Sequence, residues 1–185
     1  MLPFKDHFTH SKAGSASIWV KDFNKKSLYK DHIYVCGYTD HLDDLINKKN
    51  YINININNHT FKSKNISYVD EFIKINTNYN FELVEIHNRP SYAHHLINKK
   101  TDCKIILIFH NNPLTLGGSR STADRDLLIE KCEKLIFVSN WVKEKFFEGL
   151  NSRNHTKCIV IYPSINPLKK FPNKKKIISF VGKLN

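Results

Sequence analysis

Arginine is scarce in this chain of 185 residues. It occurs only at 89, 120, 125 and 153, although the formal net charge is +12. Base-reading and phosphate-clamping sites favour arginine's rigid fork, often beside stacking aromatics, and no such motif is present. Lysine supplies nearly all the positive charge and is spread along the sequence, so no nucleic-acid partner is expected. Attraction to anionic ligands or to an anionic membrane surface fits better. Signature motifs are lacking too. No GxGxxG follows a first strand, which argues against a dinucleotide dehydrogenase, and there is no P-loop. Without a GxSxG elbow or a serine with an evident His/Asp set, a hydrolase has little support. No stretch approaches the roughly 20 apolar residues of a membrane span, and the first residues lack a signal-peptide pattern. The four cysteines, Cys36, Cys103, Cys132 and Cys158, form no CxxC pair. They read as small apolar residues of a reduced, cytoplasmic protein.

What is present is a repeated unit. Phe81 to Ile86 is an apolar run that ends in His87-Asn88-Arg89-Pro90. Lys104 to Phe109 ends in His110-Asn111-Asn112-Pro113, and Lys134 to Val138 ends in Ser139-Asn140-Trp141. Each run is strand-length and rich in β-branched or aromatic residues, and a helical pattern follows each. Alternating strands and helices imply βαβ units, hence an α/β fold with a doubly wound parallel sheet. Ligands bind such sheets at the carboxyl ends of the strands, where His, Asn, Arg and Ser are concentrated here. His87, His110 and Ser139 should therefore lie along one edge of the sheet.

The rest of the chain extends the pattern. Met1 to Phe4 looks like the tail of a strand. Ala13-Gly14-Ser15-Ala16-Ser17 is a small-residue turn that opens a helix through Ile18, Trp19, Val20 and Phe23. A glycine there lets backbone N–H groups approach a phosphate, or it is simply a loop glycine. Residues 32–37 read as a strand, the Asn-rich stretch to about 65 is ambiguous, and 67–79 read as a helix with Tyr68, Phe72 and Ile75 inward. Pro90 opens a helix at its first position. Ser119 or Ser121 caps the next, with Asp124 in its first turn, and Ser139 or Asn140 caps a third. Residues 157–162 form a further strand. The proline- and lysine-rich segment 163–176 has the composition of a linker, and 177–182 begin another buried strand.

Taken in order, Ala13-Gly14-Ser15, Glu85 to Pro90, Phe109 to Pro113, Gly118-Ser119-Arg120-Ser121 and Phe137 to Trp141 resemble family 4 glycosyltransferases. The match is to the amino-terminal, acceptor-side half of their GT-B fold. Phe180-Val181-Gly182-Lys183-Leu184 is similar to the first strand of the carboxyl-terminal half, with Lys183 where arginine is usual. The resemblance divides the chain into a Rossmann-like domain at 1–162, a linker at 163–176 and the first strand of a second domain at 177–185. It implies retaining transfer of a sugar from a nucleotide-sugar donor to a glycan or lipid-linked acceptor, with no metal and no other cofactor.

Carried over residue by residue, the resemblance puts His110 beside the transferred sugar as the catalytic candidate. Gly14 and Ser15 match the loop that approaches the donor diphosphate. His87, Asn88, Arg89, Asn111, Ser119, Arg120 and Ser139 would line the same cleft. Other readings stay open for some of them: His87 as a cap of the next helix, Arg89 as a partner of Glu85, and Arg120 and Arg125 as flanks of a solvated helix start. His94 and His95 read as structural or exposed. Most of the family's first strand has no counterpart before Met1, so the sheet is expected to lack part of a central element. A transferase cleft needs both halves to close on its donor, so these residues alone should be inactive. A self-contained sugar- or nucleotide-binding module is the other reading. Further expectations are a cytoplasmic location at the inner face of the membrane, a peripheral membrane contact, and association through the tail strand.

Overall fold

The computed structural model describes residues 1–56, 63–151 and 155–163. The linker and tail strand expected from the sequence, beyond Pro163, lie outside these residues. Strands β1 (Val35–Gly37), β2 (Tyr51–Asn53), β3 (Leu83–His87), β4 (Lys104–Phe109), β5 (Lys134–Phe137) and β6 (Cys158–Val160) alternate with helices. The helices are α1 (Ser15–Lys26), α2 (Lys64–Tyr79), α3 (Pro90–Asn98), α4 (Thr122–Lys131) and α5 (Asn140–Phe147). Strands β3, β4, β5 and β6 pair in that order, all in parallel, and β1 pairs in parallel with β2.

Two residues join the sheets. Leu2 N–H donates to the Cys36 carbonyl at 2.9 Å, and His87 N–H donates to the Met1 carbonyl at 3.4 Å. The Met1 amine donates to the carbonyl of Glu85. Met1 and Leu2 thus sit between β1 and β3. The order across the whole sheet is β2, β1, residues 1–2, β3, β4, β5, β6. On the amino side of Met1, between the edges of β1 and β3, lies a cavity of about 620 Å³ lined by Val35, Cys36, Leu83, Val84 and Glu85 among others.

From residues 1–2 the chain steps one way to β1 and later the other way through β3 to β6. Right-handed crossovers then require α1 to lie on one face and the helices after β3 on the other. The core divides accordingly. Leu2, Phe8, Ala16, Val20 and Val35 cluster around α1. Met1, Cys36, Ile86, Leu107, Phe109 and Phe137 belong to a larger cluster with α2, α3 and α5. Within it Phe109 and Phe137 stack with centroids 5.3 Å apart, and Phe146 of α5 packs on both.

Local chemistry sets the element ends. Pro90 fills the first position of α3, where its missing N–H costs nothing. Ser121 caps α4 in a capping box with Asp124, and the Ser139 hydroxyl accepts from Val142 N–H at the start of α5. Ser63 caps α2, and Asn80 ends it in the left-handed conformation at φ 50°. Two expectations are corrected. The strand read over 32–37 is only Val35–Gly37, because Lys30–His32 make a 3₁₀ turn. The ambiguous Asn-rich stretch contains β2, whose three residues are all half-buried and so show no clear alternation. All four cysteines are buried and unpaired.

Candidate functional site

Because the pairings among β3, β4, β5 and β6 are all parallel, their carboxyl ends share one edge, and His87, His110 and Ser139 lie along it as the sequence indicated. The strand order reverses between residues 1–2 and β3, and the crevice at such a reversal is where doubly wound sheets bind ligands. Strand alternation decides which side chains reach it. Val84 and Ile86 turn into the large cluster, so Glu85 and His87 turn to the opposite face, toward α1. His110 continues the same alternation after Phe109, and Trp19 of α1 meets its ring edge-on at 5.4 Å.

These side chains form a connected row. Glu85 Oε1 lies 2.9 Å from His87 Nε2, and His87 Nδ1 lies 3.1 Å from His110 Nε2. His87 is only 1% exposed, so it bridges the other two from within the protein and is not a helix cap. Burial and the neighbouring His87 lower the His110 pKa to about 4, against the opposing pull of Asp6 and Glu85. His110 is therefore neutral at pH 7. Burial alone would raise the Glu85 carboxyl, but the hydrogen bond and charge of His87, with the Met1 amine and His110, leave it below its ordinary value.

Asn88 holds the loops after β3 and β4 together. Its backbone is left-handed, at φ 53°, a conformation asparagine tolerates. Its Oδ1 accepts from both His110 N–H at 3.3 Å and Asn111 N–H at 3.2 Å. Asn111 is exposed at the edge. Arg89 turns its guanidinium to the Asn88 carbonyl at 2.9 Å, so Glu85 is paired with His87 and not with Arg89.

Gly14 does open α1, but an internal anion sits at that helix terminus. Asp6 accepts from the N–H groups of Gly14, Ala16 and Ser17 at 3.1, 3.2 and 3.3 Å, and from the Ser17 hydroxyl. A Cβ on Gly14 would stand 2.6 Å from the Asp6 carboxylate. The glycine is thus required by the close approach of Asp6, and Ser15 lies next to it as the first residue of the helix.

Other candidates have structural posts. Ser119 is fully buried, and its hydroxyl is spent on the carbonyls of Pro113 and Leu116. Arg120 is exposed and reaches the Thr115 carbonyl. The Ser139 hydroxyl is engaged as the α5 cap. Arg125 does not flank a solvated helix start. It is 2% exposed and donates to the carbonyls of Ser119, Arg120 and Glu148. His94 Nε2 lies 2.7 Å from the Gly118 carbonyl, and His95 Nε2 lies 2.7 Å from Asp70. The sequence reading missed Asp6 and the part played by Glu85. Their signals were present: Asp6 follows a strand tail, and Glu85 shares an alternation with His87.

No family model matches this chain, and no curated protein matches it. A solved structure does. The crystal structure of a glycosyltransferase from Rickettsia africae ESF-5 superposes with a TM-score of 0.53 at 19% identity. The match covers 82% of this chain and 41% of that one. This chain has the fold of part of that glycosyltransferase. It spans about two fifths of its length.

Among the described residues no helix is long and apolar enough to cross a membrane.

Proposed function

We propose that this chain is the acceptor-side half of a GT-B glycosyltransferase resembling family 4. It would serve retaining transfer of a sugar from a nucleotide-sugar to a glycan or lipid-linked acceptor in the cytoplasm, at the inner face of the membrane. The observation that carries the reading is the row Glu85, His87 and His110 at the strand reversal of a fold shared with a glycosyltransferase. Transfer between sugars calls for groups that orient hydroxyls without competing as nucleophiles or as charges. A neutral imidazole held edge-on against an aromatic ring, here His110 against Trp19, suits that task. Asn88 and Asn111 add neutral polar groups at the same edge.

In this reading His110 stands near the transferred sugar, with Asn88, Asn111 and Arg89 along the cleft. Gly14 and Ser15 lie beside the donor diphosphate only if Asp6 moves from the α1 terminus, since two anions cannot share it. Ser119 is left out, because its hydroxyl is buried and engaged. Calorimetry with UDP-, GDP- and ADP-hexoses tests the assignment to one half of a cleft. The expected result is no submicromolar binding by these 185 residues. Submicromolar affinity would overturn the half-cleft reading and favour a self-contained binding module.

A further inference from the structure

An arginine stands where the local electrostatics disfavour one. Arg89 is the N-cap of α3, at the positive end of that helix dipole, and its side chain makes no capping hydrogen bond. No acidic residue follows in the first turn of α3, and none opens α2. Every Asp and Glu of the chain lies among the described residues, and none forms an ion pair with Arg89. The guanidinium is nevertheless held in place. Its Nη1 donates to the Asn88 carbonyl at 2.9 Å. It also hydrogen-bonds the Tyr92 hydroxyl, whose pKa burial raises and Phe4 N–H and Arg89 pull back down. That hydroxyl accepts from Phe4 N–H at 3.2 Å and donates to Asn65 Oδ1 at 3.0 Å. Phe4 follows residues 1–2 and Asn88 follows β3, so the charge stands over the strand reversal. The fully buried, unpartnered side-chain nitrogens among the described residues belong to His7 and Arg125. The remaining N–H groups of half-buried Arg89 are therefore not sealed in the core.

We infer that Arg89 reads an anion: its guanidinium binds a phosphate or carboxylate group carried by the sugar ligand of this crevice. Arginine's planar fork takes two oxygens of such a group at once, and its charge persists at any working pH. An anion there offsets both the guanidinium and the positive end of α3. Asp6 already occupies the start of α1, so that terminus does not compete for the group. Arg125 is buried among carbonyls, and Arg120 reaches the Thr115 carbonyl away from the reversal. That the anion rides on a saccharide rests on the transferase reading above; that Arg89 binds an anion does not. A phosphorylated or acidic acceptor sugar and a donor diphosphate present the same oxygens to the guanidinium, and titration separates them.

The test follows the Arg89 Nε–Hε and backbone amide resonances of the ¹⁵N-labelled chain, with Arg89→Gln supplying the assignment. The probes are glucose 6-phosphate, glucuronate, UDP-glucose, inorganic phosphate and methyl glucoside. Glucose 6-phosphate or glucuronate should move Arg89 Nε–Hε together with the Asn88 and His110 amides. Their affinity should exceed that of methyl glucoside by roughly tenfold or more. UDP-glucose moving the same resonances in their place supports the anion site and assigns the group to the donor. Arg89→Gln keeps a donor for the Asn88 carbonyl, so its amide spectrum should stay folded while anion affinity falls about tenfold or more. Arg89→Lys, with the charge but no fork, should fall between the two. Anions that leave Arg89 unmoved at high millimolar concentration overturn the inference with no variant needed. So does methyl glucoside binding as well as glucose 6-phosphate, or unchanged anion affinity in a folded Arg89→Gln protein. Inorganic phosphate binding at Arg89 as tightly as glucose 6-phosphate upholds the anion site and counts against the saccharide reading.

Discussion

The contact between Gly14 and Asp6 invites a double substitution. Gly14 has an extended backbone at φ −84°, so alanine there meets no conformational barrier, and the nearest obstacle is the Asp6 carboxylate 2.6 to 2.7 Å from the new Cβ. Asp6 serves three N–H groups and the Ser17 hydroxyl, and Ala16 and Ser17 are buried. Asp6→Ala removes a cap, typically worth about 1 kcal/mol and up to ~2, and leaves buried amides without an acceptor. The expected loss is about 2–3 kcal/mol, or a fall in Tm of roughly 5–10 °C for a domain of this size. Gly14→Ala should cost about 1–3 kcal/mol by expelling the same carboxylate. If both act through one contact, the double variant is little worse than Asp6→Ala alone, a coupling of about 1 kcal/mol or more. Urea and thermal unfolding of the four proteins at one ionic strength measure it. Losses that add within ~0.5 kcal/mol, or an Asp6→Ala protein as stable as the parent, would refute the account of this helix terminus.

Lowering the pH tests the burial of His110. Its pKa near 4 lies below the ordinary value of about 6.5, so the unfolded chain binds more protons between them, and stability falls as pH drops through that window. The loss is at most on the order of 3 kcal/mol, and His110→Gln should flatten the slope in denaturant titrations from pH 7 to pH 4. Arg125→Met should cost roughly 3 kcal/mol in chemical unfolding, since three carbonyl groups lose their donor in a buried site. Phe137→Ala, beneath Phe109 and Phe146, should cost about 3–5 kcal/mol by leaving a cavity. Ser121→Ala should cost only about 1 kcal/mol, and near-equal losses for these last two would contradict the division between core and cap.

The sheet was legible where apolar residues face both sides of it. Lys104–Phe109 is a continuous apolar run and appears at the expected residues, whereas β1 and β2 are short, lie near the sheet margin and are flanked by polar turns. A three-residue strand leaves too few positions for alternation to register. The candidate site was legible by position and less so by contact. His87, Asn88, His110 and Asn111 do meet at one edge, because parallel strands put successive carboxyl ends together. Ser119 and Arg125 were misjudged since side-chain polarity says nothing about a local carbonyl cluster that buries it. Asp6 was missed because its partner, the start of α1, meets it only after the chain has turned back from residues 1–2.

Chemical-shift mapping tests most directly the claim that the crevice at the strand reversal is a saccharide site. The ¹⁵N-labelled chain would be titrated with mono- and oligosaccharides and, in parallel, with nucleotide-sugars. Perturbations confined to His87–Arg89, His110–Asn112 and the first turn of α1 are the expected result. Shifts that cluster instead around the cavity between β1 and β3, with His87 Nδ1 and His110 unmoved, would contradict the account.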